Sequence, residues 1–213
     1  MAKKKEQKQT INPQDYDSYI LVAADLSLRR PGFCVLYFNR NNENPISKVQ
    51  LYSVDNKTKQ KSRGQLLLDN ANIFKKILSL NIGHTPLFFV REKSINNCNV
   101  KMARSGSAAK SGVSEVVGVM DLIAWETAHA EWDEIYPVTV KKTVTGSGKS
   151  EKTAVAKCLP LYYGKENPLE FRCDDESDAA AVAIAWLISK GEIKQIIQED
   201  AIHEGQEKNN SCM

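Results

Sequence analysis

The chain has 213 residues, 42% hydrophobic and 26% charged, with a net charge of +3. That length suits one ample core or two small ones, and the balance excludes a polycation or a disordered acidic chain. Five scattered cysteines without a C-x-x-C pair argue against a zinc site or disulfide framework, and no run is long enough to span a membrane.

Residues 1–17 (MAKKKEQKQTINPQDYD) carry four lysines and almost no apolar pattern, so they read as a flexible basic arm. YILVAAD is a continuous apolar run closed by Asp25, the pattern of a buried strand. After the turn at Pro31 and Gly32, FCVLYF and ISKVQLYSV complete three strands joined by short turns, an antiparallel meander. From Arg63 to Leu80 the apolar positions Leu66, Leu67, Ile73, Ile77 and Leu78 keep to one side of a helix. PLFFVRE is a fourth strand ending at Glu92, and a glycine- and serine-rich stretch then leads to a long helix from about Ser114 to Glu131. WDEIYPV reads as a short fifth strand, a helix follows from near Ser150 to about Tyr163, and ESDAAAVAIAWLISKG is a strong last helix. The order predicts one α/β domain over 18–197, with a five-stranded mixed sheet flanked by helices and a polar tail over 198–213. The N-terminus lacks the apolar segment of a secretory signal, so a cytoplasmic place is expected.

Four acids stand where acids are costly. Asp25 and Glu92 close two apolar strands, and Asp175 and Asp178 open a helix whose body is nearly all apolar. Three residues apart, the last two project from one side of the first turn. If the first and fourth strands are neighbours, all four acids come together. Single acids at such places are often helix caps or exposed rim residues. As a group they repel one another and call for protons or cations, and oxygen-only ligands suit Mg²⁺ or Mn²⁺. Lysines gather nearby: Lys141, Lys142, Lys149, Lys152 and Lys157. Within them, TVTGSGKS (143–150) looks like a P-loop, but the consensus requires glycine where Thr143 stands. A phosphate held at a helix N-terminus, with Gly146 and Gly148 admitting close approach, is the alternative to a plain solvated loop.

The stretches AADLSLRRPGFCVL, LFFVREKS, VTVKKTVTGSGKSEKTAV and DDESDAAAVAIAW, in that order over about residues 19–190, resemble the RuvC-type Holliday-junction resolvases of the RNase H-like nuclease superfamily. The resemblance implies an RNase H-like fold and a Mg²⁺-dependent endodeoxyribonuclease, with two ions per site and Mn²⁺ as a substitute. It implies paired cuts of four-way and related branched DNA that leave 5′-phosphates, a part in recombination and repair, a homodimer, and a bacterial or phage origin. Carried across, its metal-binding and catalytic acids fall on Asp25, Glu92, Asp175 and Asp178, with Asp174 an alternative to Asp175. Its active-site lysine falls on Lys152. A position beside the DNA backbone falls on Lys141; Lys142, Gly146, Gly148 and Lys149 near it are further candidate DNA-binding residues, as are Lys101 and Arg104 in the segment 93–114, which corresponds to the part that approaches the junction centre. The long helix containing GVSEVVGVMDLIAWE resembles the family's dimer helix. One departure is KSINN after Glu92, which lacks the family's base-stacking aromatic residue. A catalytically silent junction binder and a nuclease for RNA–DNA hybrids remain alternatives. An actin-like phosphotransferase would need a duplicated domain and a second phosphate loop, for which this chain is too short.

Overall fold

The computed structural model describes residues 12–54, 61–81, 83, 86–94, 107–164 and 169–196, with side chains of the stretch 107–164 from 112 onward and of the others throughout. Strands β1 (Ser18–Asp25), β2 (Gly32–Asn39) and β3 (Ile46–Ser53) form the expected antiparallel meander. Helix α1 (Arg63–Asn81) leads to β4 (Leu87–Glu92), and α2 (Ser107–Ala128) to β5 (Trp132–Ile135). The sheet order is β3-β2-β1-β4-β5, with β1–β4 and β4–β5 parallel. Helices α3 (Pro137–Thr145), α4 (Lys152–Tyr163) and α5 (Asp174–Ser189) follow.

Strand alternation sorts the core into two layers. Tyr19, Leu21 and Ala23 of β1, with Val90 of β4, face α3, α4 and α5. Ile20, Val22 and Ala24, with Phe89, face α1 and α2. Helix α5 is buried nearly all round, from Glu176 to Leu187, because it lies between the sheet and α3 and α4. A helix without a polar face has no other stable place in a water-soluble fold.

Three boundaries differ from the sequence-based expectation. The fifth strand stops at Ile135, and Pro137 opens α3 instead of continuing the strand. Proline at the first helical position loses no hydrogen bond and has its φ preset for the helix. The lysines of TVKK therefore lie on a helix and not in a loop. Helix α2 starts at Ser107, earlier than the apolar pattern suggests. Finally, the end of the expected flexible arm is anchored: Asn12 caps a short 3-10 helix, Pro13–Asp15, and Arg40 donates to the carbonyls of Gln14 and Tyr16. Residues 1–11 of the arm and the tail from 197 lie outside the described residues. Among the described residues no helix is long and apolar enough to cross a membrane.

Candidate active site

Parity along the strands places the two strand-end acids. Asp25 continues the series Tyr19, Leu21, Ala23, and Glu92 continues from Val90, so both belong to the sheet face covered by α5. The β1–β4 register ends at Ala24 and Arg91, which makes Asp25 and Glu92 the next neighbours across that pair of strands. Arg91, of opposite parity, turns to the other face and pairs with Asp121 of α2 and Glu134 of β5.

A cavity of about 230 Å³ opens at this end of the sheet. Asp25, Glu92 and Asp178 bring three carboxylates to it, and Lys141 and Lys152 bring two ammonium groups. Pro137, Val140, Val155 and Ala181 supply its apolar walls. Lys152 donates to Asp178 in an ion pair at the start of α4. Burial pushes the Asp25 carboxyl up to about 6; Asp178 and Asp175 add to the rise and Lys152 opposes it. Burial also pushes Glu92 up to about 7, reinforced by Asp25 and Asp178 and opposed by Lys152 and Lys141. The Lys152 ammonium is held above its ordinary range, first by its hydrogen bond to Asp178.

The structure thus brings Asp25, Glu92, Asp178, Lys141 and Lys152 to one cavity. Asp175 does not line it, although its charge reaches Asp25. Its backbone carbonyl packs instead over Gly32, where a β-carbon would come within 1.9 Å of it. Asp174 is exposed, and its carbonyl accepts from Ser177. Lys142 and Lys149 are exposed and stand outside the cavity lining. Gly146 and Gly148 have reasons within the chain: Gly146 closes α3 with φ 83°, its N–H bonded to Lys142 O, and a β-carbon at Gly148 would lie 2.9 Å from Val138. Lys101 and Arg104 lie outside the described residues.

Sequence reasoning missed Glu176. It is fully buried, accepting from the Arg172 backbone amide and guanidinium and from the Ser53 hydroxyl. Burial pushes its carboxyl up, but those donors together hold it below the ordinary value. The only sequence signal is Arg172 four residues earlier, and a run of three acids at a helix start hides which one turns inward.

An oxygen-only donor set, crowded enough to raise two of its carboxyls, fits a hard divalent cation in chemistry. In geometry, among the described residues no three acid, histidine or cysteine side chains converge closely enough to hold a metal ion as they stand.

No protein-family model matches the chain. The crossover junction endodeoxyribonuclease RuvC of Carboxydothermus hydrogenoformans is 33% identical over 119 residues, 56% of this chain and 69% of the relative. The RuvC of Treponema denticola is 29% identical over 177 residues, covering 83% and 89%. Among solved structures, Thermus thermophilus RuvC in complex with a Holliday junction substrate superposes with a TM-score of 0.62 at 16% identity, over 82% of this chain and 96% of that one. The same protein without a named substrate gives 0.57 at 14% identity, over 81% and 96%. These structures establish the RNase H-like fold, and the sequence match to the Carboxydothermus protein extends the kinship to the family itself. This chain belongs to the RuvC family of crossover junction endodeoxyribonucleases.

Proposed function

We propose that the protein is a divalent-cation-dependent endonuclease that cuts four-way DNA junctions. The observation that carries this reading is the meeting of Asp25, Glu92 and Asp178 with Lys141 and Lys152 in one cavity of a RuvC-family chain. Asp25, Glu92 and Asp178, with Asp175 beside them, would hold Mg²⁺. Bound there, the ion would lower the pKa of a water and stabilise charge on the leaving oxygen. Water attacks phosphorus, the bond from phosphorus to O3′ breaks, and the leaving oxygen takes up a proton. The products carry a 5′-phosphate and a 3′-hydroxyl.

Lys152 holds its ammonium in the cavity, where it neutralises charge building on the phosphate; such preset electrostatics is often the largest catalytic contribution. Lys141, which also lines the cavity, contacts the neighbouring backbone, and exposed Lys142 and Lys149 extend the phosphate track. By resemblance to the family, Lys101 and Arg104 would add further contacts to DNA. A homodimer would set two such cavities on opposite strands, matching the two-fold symmetry of a junction. The exposed apolar pair Leu122 (57%) and Trp125 (53%) on α2 supports that helix as the dimer contact. A cytoplasmic location, with access to DNA, is part of the proposal.

The test is a labelled four-way junction incubated with Mg²⁺ and either wild type or Asp25→Asn, with an RNA–DNA hybrid duplex in parallel. Wild type should cut the junction in preference to the hybrid, and Asp25→Asn should bind it without cutting. Preferential cutting of the hybrid, or cutting by the variant at the wild-type rate, would sink the reading. A wild type that binds the junction and cuts in neither Mg²⁺ nor Mn²⁺ would make it a silent binder.

A further inference from the structure

Two walls of the cavity are joined through one buried hydroxyl. Thr145 ends α3 and is 5% exposed. Its Oγ1 donates to Lys141 O at 2.8 Å, accepts the Ser147 amide at 3.3 Å and lies 2.7 Å from Ser150 Oγ. A threonine hydroxyl has one proton and two lone pairs. With its proton given to Lys141 O, the Ser150 hydroxyl is the donor in the third contact, and the capacity of Thr145 is filled. Ser147 O, 3.1 Å away, is a second receiver for the same proton.

This hydroxyl meets the start of the helix that carries Lys152, whose far end is tied to α3 separately by the Tyr162 hydroxyl on Val144 O. Glu151 stands at the N-cap of α4 and makes no side-chain capping bond. The turn before it is held by Ser150 N donating to Ser147 O and by the Ser150 hydroxyl on Thr145. Lys152 follows two residues later as the first residue of the helix, and Lys141 stands one turn before Thr145 on α3.

We propose that Thr145 is a positioning residue for the cleavage reaction: its buried hydroxyl locks the 146–151 turn to α3 and so fixes Lys152 in the cavity that Lys141 also lines. This rests on the role given above to Lys152. Loss of the hydroxyl leaves the carboxylates in place and lets the start of α4 drift. A misplacement of about 1 Å can cost roughly 100-fold in rate.

The experiment combines single-turnover junction cleavage, junction binding and amide hydrogen exchange on Thr145→Val, Thr145→Ser and Ser150→Ala, with Thr145→Val repeated in a Lys152→Ala background. Thr145→Val should cut roughly 10- to 100-fold more slowly while the junction Kd stays within about threefold, and Thr145→Ser should recover most of the rate. Ser150→Ala removes the same contact from the other side and should fall between them. In the Lys152→Ala background the valine should cost less than about threefold, because the group it displaces is gone. Exchange at amides 147–155 should quicken in Thr145→Val. Wild-type cleavage by Thr145→Val, an equal loss in both backgrounds, or unchanged exchange each overturns the proposal. Should wild type cut no junction at all, the proposed function falls, and the exchange measurement alone decides whether Thr145 holds the turn.

Discussion

Gly32, the first residue of β2, lies against the backbone carbonyl of Asp175, the second residue of α5. A β-carbon at position 32 would sit 1.9 Å from that oxygen and 2.4 Å from its carbon. Both partners are main chain, so neither can rotate away. The contact sets how deeply the start of α5 settles onto the sheet, and hence where Asp178 stands relative to Asp25.

Gly32→Ala must therefore lift the first turn of α5. The expected cost is about 2–3 kcal/mol, in the range of overpacked cores, together with loss of junction cleavage beyond what instability explains. Denaturant unfolding and single-turnover cleavage well below the melting temperature separate the two effects. An alanine variant with wild-type activity would show that the helix start has room to yield.

Asp25→Asn keeps the shape of the side chain and removes its charge. Even outer-shell partners of metal ligands cost roughly 10- to 100-fold, so cleavage should fall by more than that while junction binding persists. Gel-shift and cleavage assays on the same preparation check this, and proportionate losses of both would point to misfolding.

The same acids give stability an unusual pH dependence. Asp25 and Glu92 titrate at about 6 and about 7 in the folded protein, against ordinary values of 3.8 and 4.5. Between those values the folded state holds more protons than the unfolded chain, so the stability they contribute is complete at low pH and is lost as pH rises through 6 and 7. Thermal melts in a chelating buffer should fall from about pH 5 to pH 7.5 for this reason. Asp25→Asn should flatten the slope and gain roughly 1–3 kcal/mol at pH 7.5. Added Mg²⁺ should raise the wild-type melt and leave the variant nearly unmoved. A wild-type melt that rises across this window in the chelator would contradict the arrangement.

Glu176 acts in the opposite direction and at lower pH. Its carboxyl is held below 4.5, so its contribution is present above that value and is lost as the pH falls through the folded value. Arg172→Ala removes the guanidinium that holds the carboxyl down and should cost about 1–3 kcal/mol near neutral pH, with a shallower loss of stability on acidification because burial then raises Glu176, and an unchanged cleavage rate per folded molecule. An effect on rate with no effect on acid unfolding would make Arg172 a DNA contact.

Much of the sheet was legible because its strands are apolar runs ended by marked residues. Asp25 and Glu92 close β1 and β4, and alternation fixes the face each one takes. The first residues of α5 were less legible. DDES contains three acids in succession, and sequence alone does not say that Glu176 turns inward to Arg172 and Ser53 while Asp174 stays exposed. Pro137 misled for a related reason: proline fits both the end of a strand and the first turn of a helix, and only the chain's return over the sheet decides. The glycines of TVTGSGKS suggested a phosphate cradle, whereas Gly146 first of all closes α3 and Gly148 makes room for Val138.

The central place of α5 has a consequence for the cell that makes this protein. β1, with Asp25, leaves the ribosome early, but the helix that completes both the apolar layer and the carboxylate set comes last among the described elements. At roughly 5–20 residues per second, a nascent chain spends several seconds with its first acid made and Asp178 still untranslated. On the role proposed for Asp178, a chain at that stage would lack part of the site and would not yet cut DNA. The order of translation would then act as a safety catch on the nuclease.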